Sequence, residues 1–122
     1  MINGGFTEIK QIHDILKPEN QLMGCMVGRM AMNNLWEIAR VDQEFFPDLD
    51  HGEKLTRGEI INLYADFAQK MQDEEVAKGG KISNTILVRP LINLFASEWK
   101  GADYRKRINF NATKPEYKDK VR

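Results

Sequence analysis

The chain has 122 residues, 42% of them hydrophobic and 30% charged, which is enough to bury the core of one ordinary domain. No stretch approaches the roughly 20 apolar residues that a membrane-spanning helix needs, and the single cysteine, Cys25, excludes an internal disulfide. The first residues lack the basic start and apolar core of a secretory signal, so we expect a soluble protein of the cytoplasm, with an organelle as the alternative.

Charge is balanced in total but unevenly distributed. The chain has 18 basic and 18 acidic residues, yet positions 100–122 hold eight basic and three acidic residues, a net charge of +5. Such a basic end suits an anionic partner such as a nucleic acid, and it equally suits a tail that is simply solvated. Charge alone leaves both interpretations open.

The first predicted element is a strand that ends at Met1-Ile2 and meets a glycine turn. A helix capped by Thr7 is predicted next, with apolar residues at positions 9, 12, 15 and 16 on one face. The helix should end at Lys17-Pro18, because the residue before proline is displaced from the helical region.

The second strand is predicted over 22–27, an apolar run of the kind buried on both faces of a parallel sheet. A helix then begins near Gly28 and is interrupted by Asn33-Asn34, and a further helix is predicted over 35–46. The order strand, helix, strand, helix is typical of consecutive βα units of a parallel sheet.

Beyond a division near residues 48–52, the pattern is entirely helical. Thr56-Arg57-Gly58-Glu59 is a capping box that opens a helix predicted to stop by Gly79-Gly80. Two further helices are predicted over 83–95, with Pro90 as a kink, and over 102–110, and residues 111–122 are predicted to fray. The predicted fold class is therefore α/β followed by all-α, predominantly helical by content.

Glycines stand at both predicted strand ends, in Asn3-Gly4-Gly5 and in Gly28-Arg29. Ligands bind at the carboxyl ends of parallel strands, and in eight-stranded barrels the last two such loops commonly hold a phosphate. Glycine lets backbone N–H groups approach phosphate oxygens, and a helix start adds a favourable dipole. Taken alone, glycines after strands are more often plain turns, so the pattern leaves both roles open.

Together and in this order, these segments resemble the end of the barrel and the helical C-terminal domain of the tRNA-dihydrouridine synthases, most like the bacterial type A branch. The resemblance covers about residues 1–112 and rests on residues 1–5, 24–31, 33–36, 41–46, 81–84, 89–91, 94–95, 101–102 and 104–106. The chain departs from the family pattern at Met23, where aspartate is usual, and at Leu35, where proline is usual.

The resemblance implies that residues 1–50 are the last two βα units of an FMN-binding TIM barrel. It implies that residues 51–122 are a helical tRNA-binding domain with a basic, partly disordered tail. Enzymes of this family reduce uridine in tRNA to 5,6-dihydrouridine with FMN that NADPH recharges. By the same resemblance, the FMN phosphate is held by both glycine loops, that is by Asn3, Gly4, Gly5, Gly28 and Arg29.

The family's catalytic cysteine lies on an earlier part of the barrel, so the resemblance places no catalytic residue in this chain. We therefore expect the chain alone to be inactive and to bind FMN weakly. Cys25 falls inside the second strand and is expected to be a small buried hydrophobe. His13 and His51 lack partners at metal-ligand spacing, so we predict solvated histidines and no metal.

The basic residues of the helical part are the predicted RNA contacts. Arg105 and Lys106 match the paired basic residues that contact tRNA in the family, Arg89 matches a recurring basic position, and Arg107 extends the cluster. An equally weighted alternative is that Arg89 and Arg105 pair with acids such as Glu98 or Asp103.

Three aromatic residues near this cluster, Trp99, Tyr104 and Phe110, are interpreted as core packing more than as a base-stacking surface. Two other functions stay open: a non-catalytic RNA-binding helical module with vestigial barrel strands, and an unrelated FMN-binding or phosphate-binding barrel fragment whose tail is structural. Salt-dependent tRNA binding by residues 50–122 would separate these two, because phosphate contacts weaken steeply with salt.

Overall fold

A computed structural model of the protein describes residues 1–114. It is predominantly helical, with two short strands, β1 (Ile2–Asn3) and β2 (Cys25–Met26). The α-helices of the described residues are α1 (Ile9–Ile15), α2 (Gly28–Asn33), α3 (Leu35–Ile38), α4 (Val41–Phe45), α5 (Arg57–Ala77), α6 (Asn84–Leu87) and α7 (Gly101–Thr113). No helix within this range is both long and apolar enough to cross a membrane.

The chain folds as two compact units. The N-terminal unit consists of Met1–Gly52 and Asn93–Glu98, and the C-terminal unit consists of Glu53–Ile92 and the chain from Trp99 onward. The assignment of residues 1–50 to a barrel and of 51–122 to an RNA-binding domain stays a prediction. The return of residues 93–98 to the N-terminal unit was not foreseen.

In the N-terminal unit, β1 and β2 are parallel neighbours, with Ile2 opposite Cys25 and Asn3 opposite Met26. The predicted second strand is shorter than expected, because only two of its six residues join the ladder. The prediction of burial on both faces was wrong: Met23 is fully exposed and Met26 is half exposed. Each strand has one partner among residues 1–114, so little covers the outer side of the pair.

The core of this unit is formed by Ile9, Ile12 and Met30, which are at most 5% exposed. The predicted apolar face of α1 is thus confirmed. Its N-cap is Glu8 rather than Thr7. The side chain of Gln11 accepts hydrogen bonds from the N–H groups of both residues, at 2.7 and 3.1 Å, and so caps the helix one residue later than predicted.

The single helix predicted over 35–46 is in fact two helices, α3 and α4. Between them the backbone tightens, since the N–H groups of Ala39 and Arg40 donate to the carbonyls three residues earlier, Trp36 and Glu37. Such 3₁₀-type bonds commonly terminate an α-helix.

The helix predicted over 83–95 is also interrupted. It ends at Leu87, and Pro90 lies in a 3₁₀ turn over Arg89–Leu91, because proline removes a backbone donor and clashes with the preceding turn. Residues 93–98 then rejoin the N-terminal unit, where Leu94 is fully buried and the Asn93 side-chain amide donates to the carbonyl of Met32 at 2.9 Å.

In the C-terminal unit, the predicted capping box of α5 is confirmed. Thr56 Oγ1 accepts from the Glu59 N–H at 3.2 Å, and Glu59 Oε2 accepts from the Thr56 N–H at 2.7 Å and from its hydroxyl at 2.8 Å. The backbone and then the side-chain hydrogen bond of Thr56 hold the pKa of Glu59 below its ordinary value. At the other end the helix stops before Gly79, which has a φ of +83°.

Side-chain hydrogen bonds to backbone groups tie together the helices of this unit. The Tyr64 hydroxyl donates to the Leu87 carbonyl at 2.6 Å, and the Tyr104 hydroxyl donates to the Leu91 carbonyl at 3.0 Å. Helix α7 runs three residues beyond its predicted end at Phe110. The rest of the predicted disordered tail, 115–122, lies outside the described residues.

Candidate phosphate and RNA contact residues

The two glycine loops leave the strand pair at the same end, because β1 and β2 are parallel and in register. The side chain of Arg29 reaches across to the first loop: a Cβ built on Gly5 would lie 3.4 Å from Arg29 Nη2. A Cβ built on Gly4 would meet nothing within 4 Å. The structure therefore brings the five predicted phosphate residues to one edge of the N-terminal unit, with all five exposed.

The donors at this edge suit a phosphate. Gly28 and Arg29 are the first residues of α2, so their N–H groups have no acceptor within the helix. The Arg29 guanidinium offers two parallel donors of the geometry that phosphate oxygens accept. A Cβ at Gly5 would be in van der Waals contact with this guanidinium, so the Arg29 side chain lies directly beside the first loop. Helix α1 begins only at Ile9, so the expected helix start beside Gly5 is absent.

Cys25 lies in β2 and packs partly buried against the core of the N-terminal unit, as predicted. Its burial raises the pKa of the thiol, which lowers its reactivity as a nucleophile.

Solvated histidines were predicted, but both histidines contact other residues of the N-terminal unit. His13 Nε2 lies 2.9 Å from Glu44 Oε2, and its ring stacks on Phe45 with 4.3 Å between centroids, so it bridges α1 and α4. The hydrogen bond from His13 and the charge of Arg40 hold the pKa of Glu44 below its ordinary value. His51 Nε2 lies 2.6 Å from the Phe46 carbonyl oxygen. No group of histidines, cysteines and carboxylates within residues 1–114 could hold a metal ion.

The predicted RNA contacts Arg105, Lys106 and Arg107 are consecutive residues of α7 and all are exposed. Successive residues point about 100° apart around a helix, so the three cations cannot face one surface. Arg105 and Lys106 share a side with Asn109, whereas Arg107 points toward the side of Phe110. The exposed Arg89 opens the 3₁₀ turn over Arg89–Leu91.

None of these four cations forms an ion pair with a residue in the range 1–114. The alternative that Arg89 and Arg105 pair with Glu98 or Asp103 is therefore wrong for this part of the chain. Their charges remain available to an anionic partner.

The aromatic residues near the cations divide into two groups. Tyr104 packs as predicted, since its hydroxyl bonds the Leu91 carbonyl and burial raises its pKa. The same interpretation was wrong for Trp99 and Phe110, which are 85% and 61% exposed. Each has a lysine ammonium over its ring, Lys100 at 4.3 Å and Lys114 at 4.4 Å from the centroid.

The C-terminal unit also contains a groove of about 810 Å³ that the sequence analysis did not predict. Residues of α5, α6 and α7 line it, most of them apolar, with Tyr64, Leu87 and Ile108 among them. Helical periodicity predicts which face of each helix is apolar, but it contains no information on how closely three such faces approach each other.

The chain is similar to a curated protein, the tRNA-dihydrouridine(20/20a) synthase of Vibrio parahaemolyticus serotype O3:K6 (strain RIMD 2210633). The two are 29% identical over 114 residues, which is 93% of this chain and 32% of that enzyme. The chain thus spans about a third of the length of its relative. No protein-family profile matches the chain, and no solved structure does. The resemblance expected from the motifs is confirmed.

Proposed function

We propose that this chain supplies the phosphate-binding edge and the tRNA-binding helices of a tRNA-dihydrouridine synthase, an oxidoreductase of tRNA processing. The observation that carries the proposal is the parallel pairing of β1 and β2, which places the two glycine loops side by side with Arg29 over Gly5. The similarity to the curated enzyme supports the same family.

The N-terminal unit fits the last two βα units of a TIM barrel. Its strands are parallel, each is followed by helix, and the loops after them meet at one edge, as they do at the ligand-binding end of a barrel. A complete barrel needs about six further βα units. Such units would cover side chains that are exposed here, Met23 and Met26 among them.

At this edge we assign the FMN phosphate to Arg29 and to the N–H groups of Gly4, Gly5 and Gly28. Bound FMN, recharged by NADPH, would supply the hydride that reduces the uracil ring. The chain's own residues bind and orient the phosphate and transfer no proton. We therefore assign no catalytic residue here and expect the chain alone to be inactive.

Helix α7 is the proposed tRNA contact. Arg105, Lys106 and Asn109 occupy one exposed side of the helix, and neither cation is neutralised by a carboxylate within residues 1–114. Cations of this kind contact phosphates irrespective of sequence, so they position an RNA without reading its bases.

The double variant Arg105→Ala with Lys106→Ala tests this role. We expect it to weaken tRNA binding about tenfold and to reduce the slope of log Kd against log salt by about 1.4 to 1.8, because two phosphate contacts are lost. Filter binding over a salt series measures both quantities, and circular dichroism should show unchanged helix content.

A charge-matched control removes two lysines elsewhere in the C-terminal unit, Lys54→Ala with Lys78→Ala. Both side chains are exposed and neither lies on α7. We expect wild-type affinity and salt dependence. Unchanged tRNA affinity in the Arg105/Lys106 variant, or equal losses in both double variants, would contradict a specific RNA contact at α7.

The capping box of α5 and the Tyr64 and Tyr104 hydrogen bonds within the C-terminal unit support a second candidate, a non-catalytic RNA-binding helical module with vestigial strands. Both candidates predict RNA binding by α7. They differ at the N-terminal edge, because only the synthase requires the two glycine loops to bind one phosphate.

A further inference from the structure

Trp99 is largely exposed in the part of the chain that the structure describes. It is 85% exposed, whereas the other tryptophan, Trp36, is partly buried. An indole gains more from burial than almost any other side chain, and single exposed hydrophobic residues are common on protein surfaces. Exposure alone is therefore no argument for a binding site, which must be inferred from the residues around the ring.

A cation lies directly against this ring. Lys100 Nζ is 4.3 Å from the centroid of the Trp99 ring, within the range of a cation–π interaction. Lys100 is also the N-cap residue of α7 and has a left-handed backbone, with φ 62° and ψ 10°, which residues other than glycine seldom adopt. One face of the indole thus meets an ammonium, and the chain turns at once into the helix with the basic residues.

Glu98 precedes Trp99, but the chain that follows Trp99 is predominantly cationic. Residues 99–114 contain five basic side chains and a single acidic one, Asp103. From Gly101 to Lys106 the helix rises about 8 Å, so the ring and the cations of α7 lie within reach of one short stretch of a polymer. Proteins that bind unpaired RNA combine these two elements: aromatic rings on which bases stack, and cations that follow the phosphates.

We propose that Trp99 stacks on an unpaired base of the RNA whose phosphates contact Arg105 and Lys106. The inference rests on the RNA role proposed for α7. It adds a contact that favours unpaired RNA over an RNA duplex. An apolar protein partner would also bury the indole, but it would have to desolvate the surrounding ammonium and guanidinium groups without compensation. The RNA strand provides both a flat ring and the opposite charge.

The test compares Trp99→Ala with wild type on three probes: a tRNA transcript, an unpaired oligonucleotide and an RNA duplex with the same number of phosphates. We expect Trp99→Ala to weaken binding of the first two probes on the order of tenfold and of the duplex less than twofold. The salt slope should not change, because no phosphate contact is lost.

Two further variants separate stacking from a general loss of surface. Trp99→Phe keeps an aromatic face and should retain most of the affinity. Phe67→Ala removes an aromatic residue of α5 that is 56% exposed in the same unit, and it should bind like wild type. Unpaired RNA should also quench the fluorescence of the wild type but not that of Trp99→Ala, in which Trp36 is the remaining tryptophan.

The outcomes distinguish the two proposals. If Trp99→Ala binds every probe like wild type while the Arg105/Lys106 variant is weakened, the stacking contact is overturned and the RNA role of α7 stands. Equal losses on duplex and unpaired RNA would also overturn stacking. If wild type binds neither tRNA nor the oligonucleotide at low salt, both proposals fall. If Trp99→Ala loses helix content, the Trp99→Phe variant decides. Retained RNA affinity in Trp99→Phe, together with quenching of the wild-type fluorescence, supports the stacking contact. Loss of RNA affinity in Trp99→Phe overturns it.

Discussion

The two units of the protein differ in the length of their helices and in the local interactions that stabilise them. In the N-terminal unit, the helices before residue 52 have four to seven residues and the strands two. In the C-terminal unit, α5 has 21 residues, begins at a complete capping box and is linked to α6 by the Tyr64 hydroxyl. Short helices are marginal without packing, whereas a long capped helix stabilises itself in part.

This difference indicates where each unit obtains its stability. The N-terminal unit depends on a small core and on strands whose outer side is little covered by residues 1–114, so it has the character of a segment from a larger sheet. In the C-terminal unit, α5 depends in part on local signals that the sequence contains, namely its capping box and the glycine after its end. Substitutions in the two units should therefore have effects of different size and extent.

The largest effect is expected from Met30→Ala in α2. Met30 is 1% exposed and packs with Ile9 and Ile12, so its truncation should cost about 2–5 kcal/mol of unfolding free energy. Amide hydrogen exchange should show loss of protection in α1 and α2 and retained protection in α5. Met32→Ala, in the same helix but 75% exposed, is the matched control and should change stability by less than about 0.5 kcal/mol. Loss of protection in α5 to the same degree would contradict the independence of the units.

A smaller effect is expected from Thr56→Ala, which removes the hydroxyl of the capping box and should destabilise α5 by about 1 kcal/mol. The cost should depend on pH. The pKa of Glu59 is lowered in the folded protein, so its stabilising contribution is present above the ordinary carboxyl pKa and is lost as the pH falls through the lowered value. The difference between the thermal melts of wild type and Thr56→Ala should be largest above the ordinary carboxyl pKa and should narrow as the pH falls through the lowered pKa of Glu59. It should not vanish, because the hydrogen bond from the Glu59 N–H to Thr56 Oγ1 does not titrate.

Thr56→Ser is the control for this prediction, because it keeps the oxygen that accepts from Glu59. It should melt close to wild type at every pH. A difference between wild type and Thr56→Ala that widens as the pH falls would contradict the assigned role of Glu59.

The sequence was most informative where a structure depends on a few neighbouring residues. The capping box at Thr56, the stop at Gly79 and the apolar face of α1 are local features, and all are confirmed. The adjacency of the two glycine loops was also predictable, on the expectation that the two consecutive strands are parallel neighbours, as β1 and β2 are.

Features that depend on distant contacts were not predictable. The return of residues 93–98 to the N-terminal unit is fixed by burial of Leu94 and by the hydrogen bond from Asn93 to Met32, 61 residues earlier. Trp99 is 85% exposed and precedes a left-handed backbone at Lys100, and no helical period reveals either feature. The contact between Arg29 and Gly5 likewise depends on side-chain placement across two loops.

An NMR titration of the labelled chain with FMN tests directly whether the two glycine loops form one phosphate site. We predict that the amide signals of Gly4, Gly5, Gly28 and Arg29 shift together with one weak affinity for FMN. Riboflavin, which lacks the phosphate, should leave these signals unchanged. The variant Arg29→Gln should weaken the response to FMN. Loops that shift with different affinities, or respond equally to riboflavin, or do not respond to millimolar FMN, would contradict the assignment.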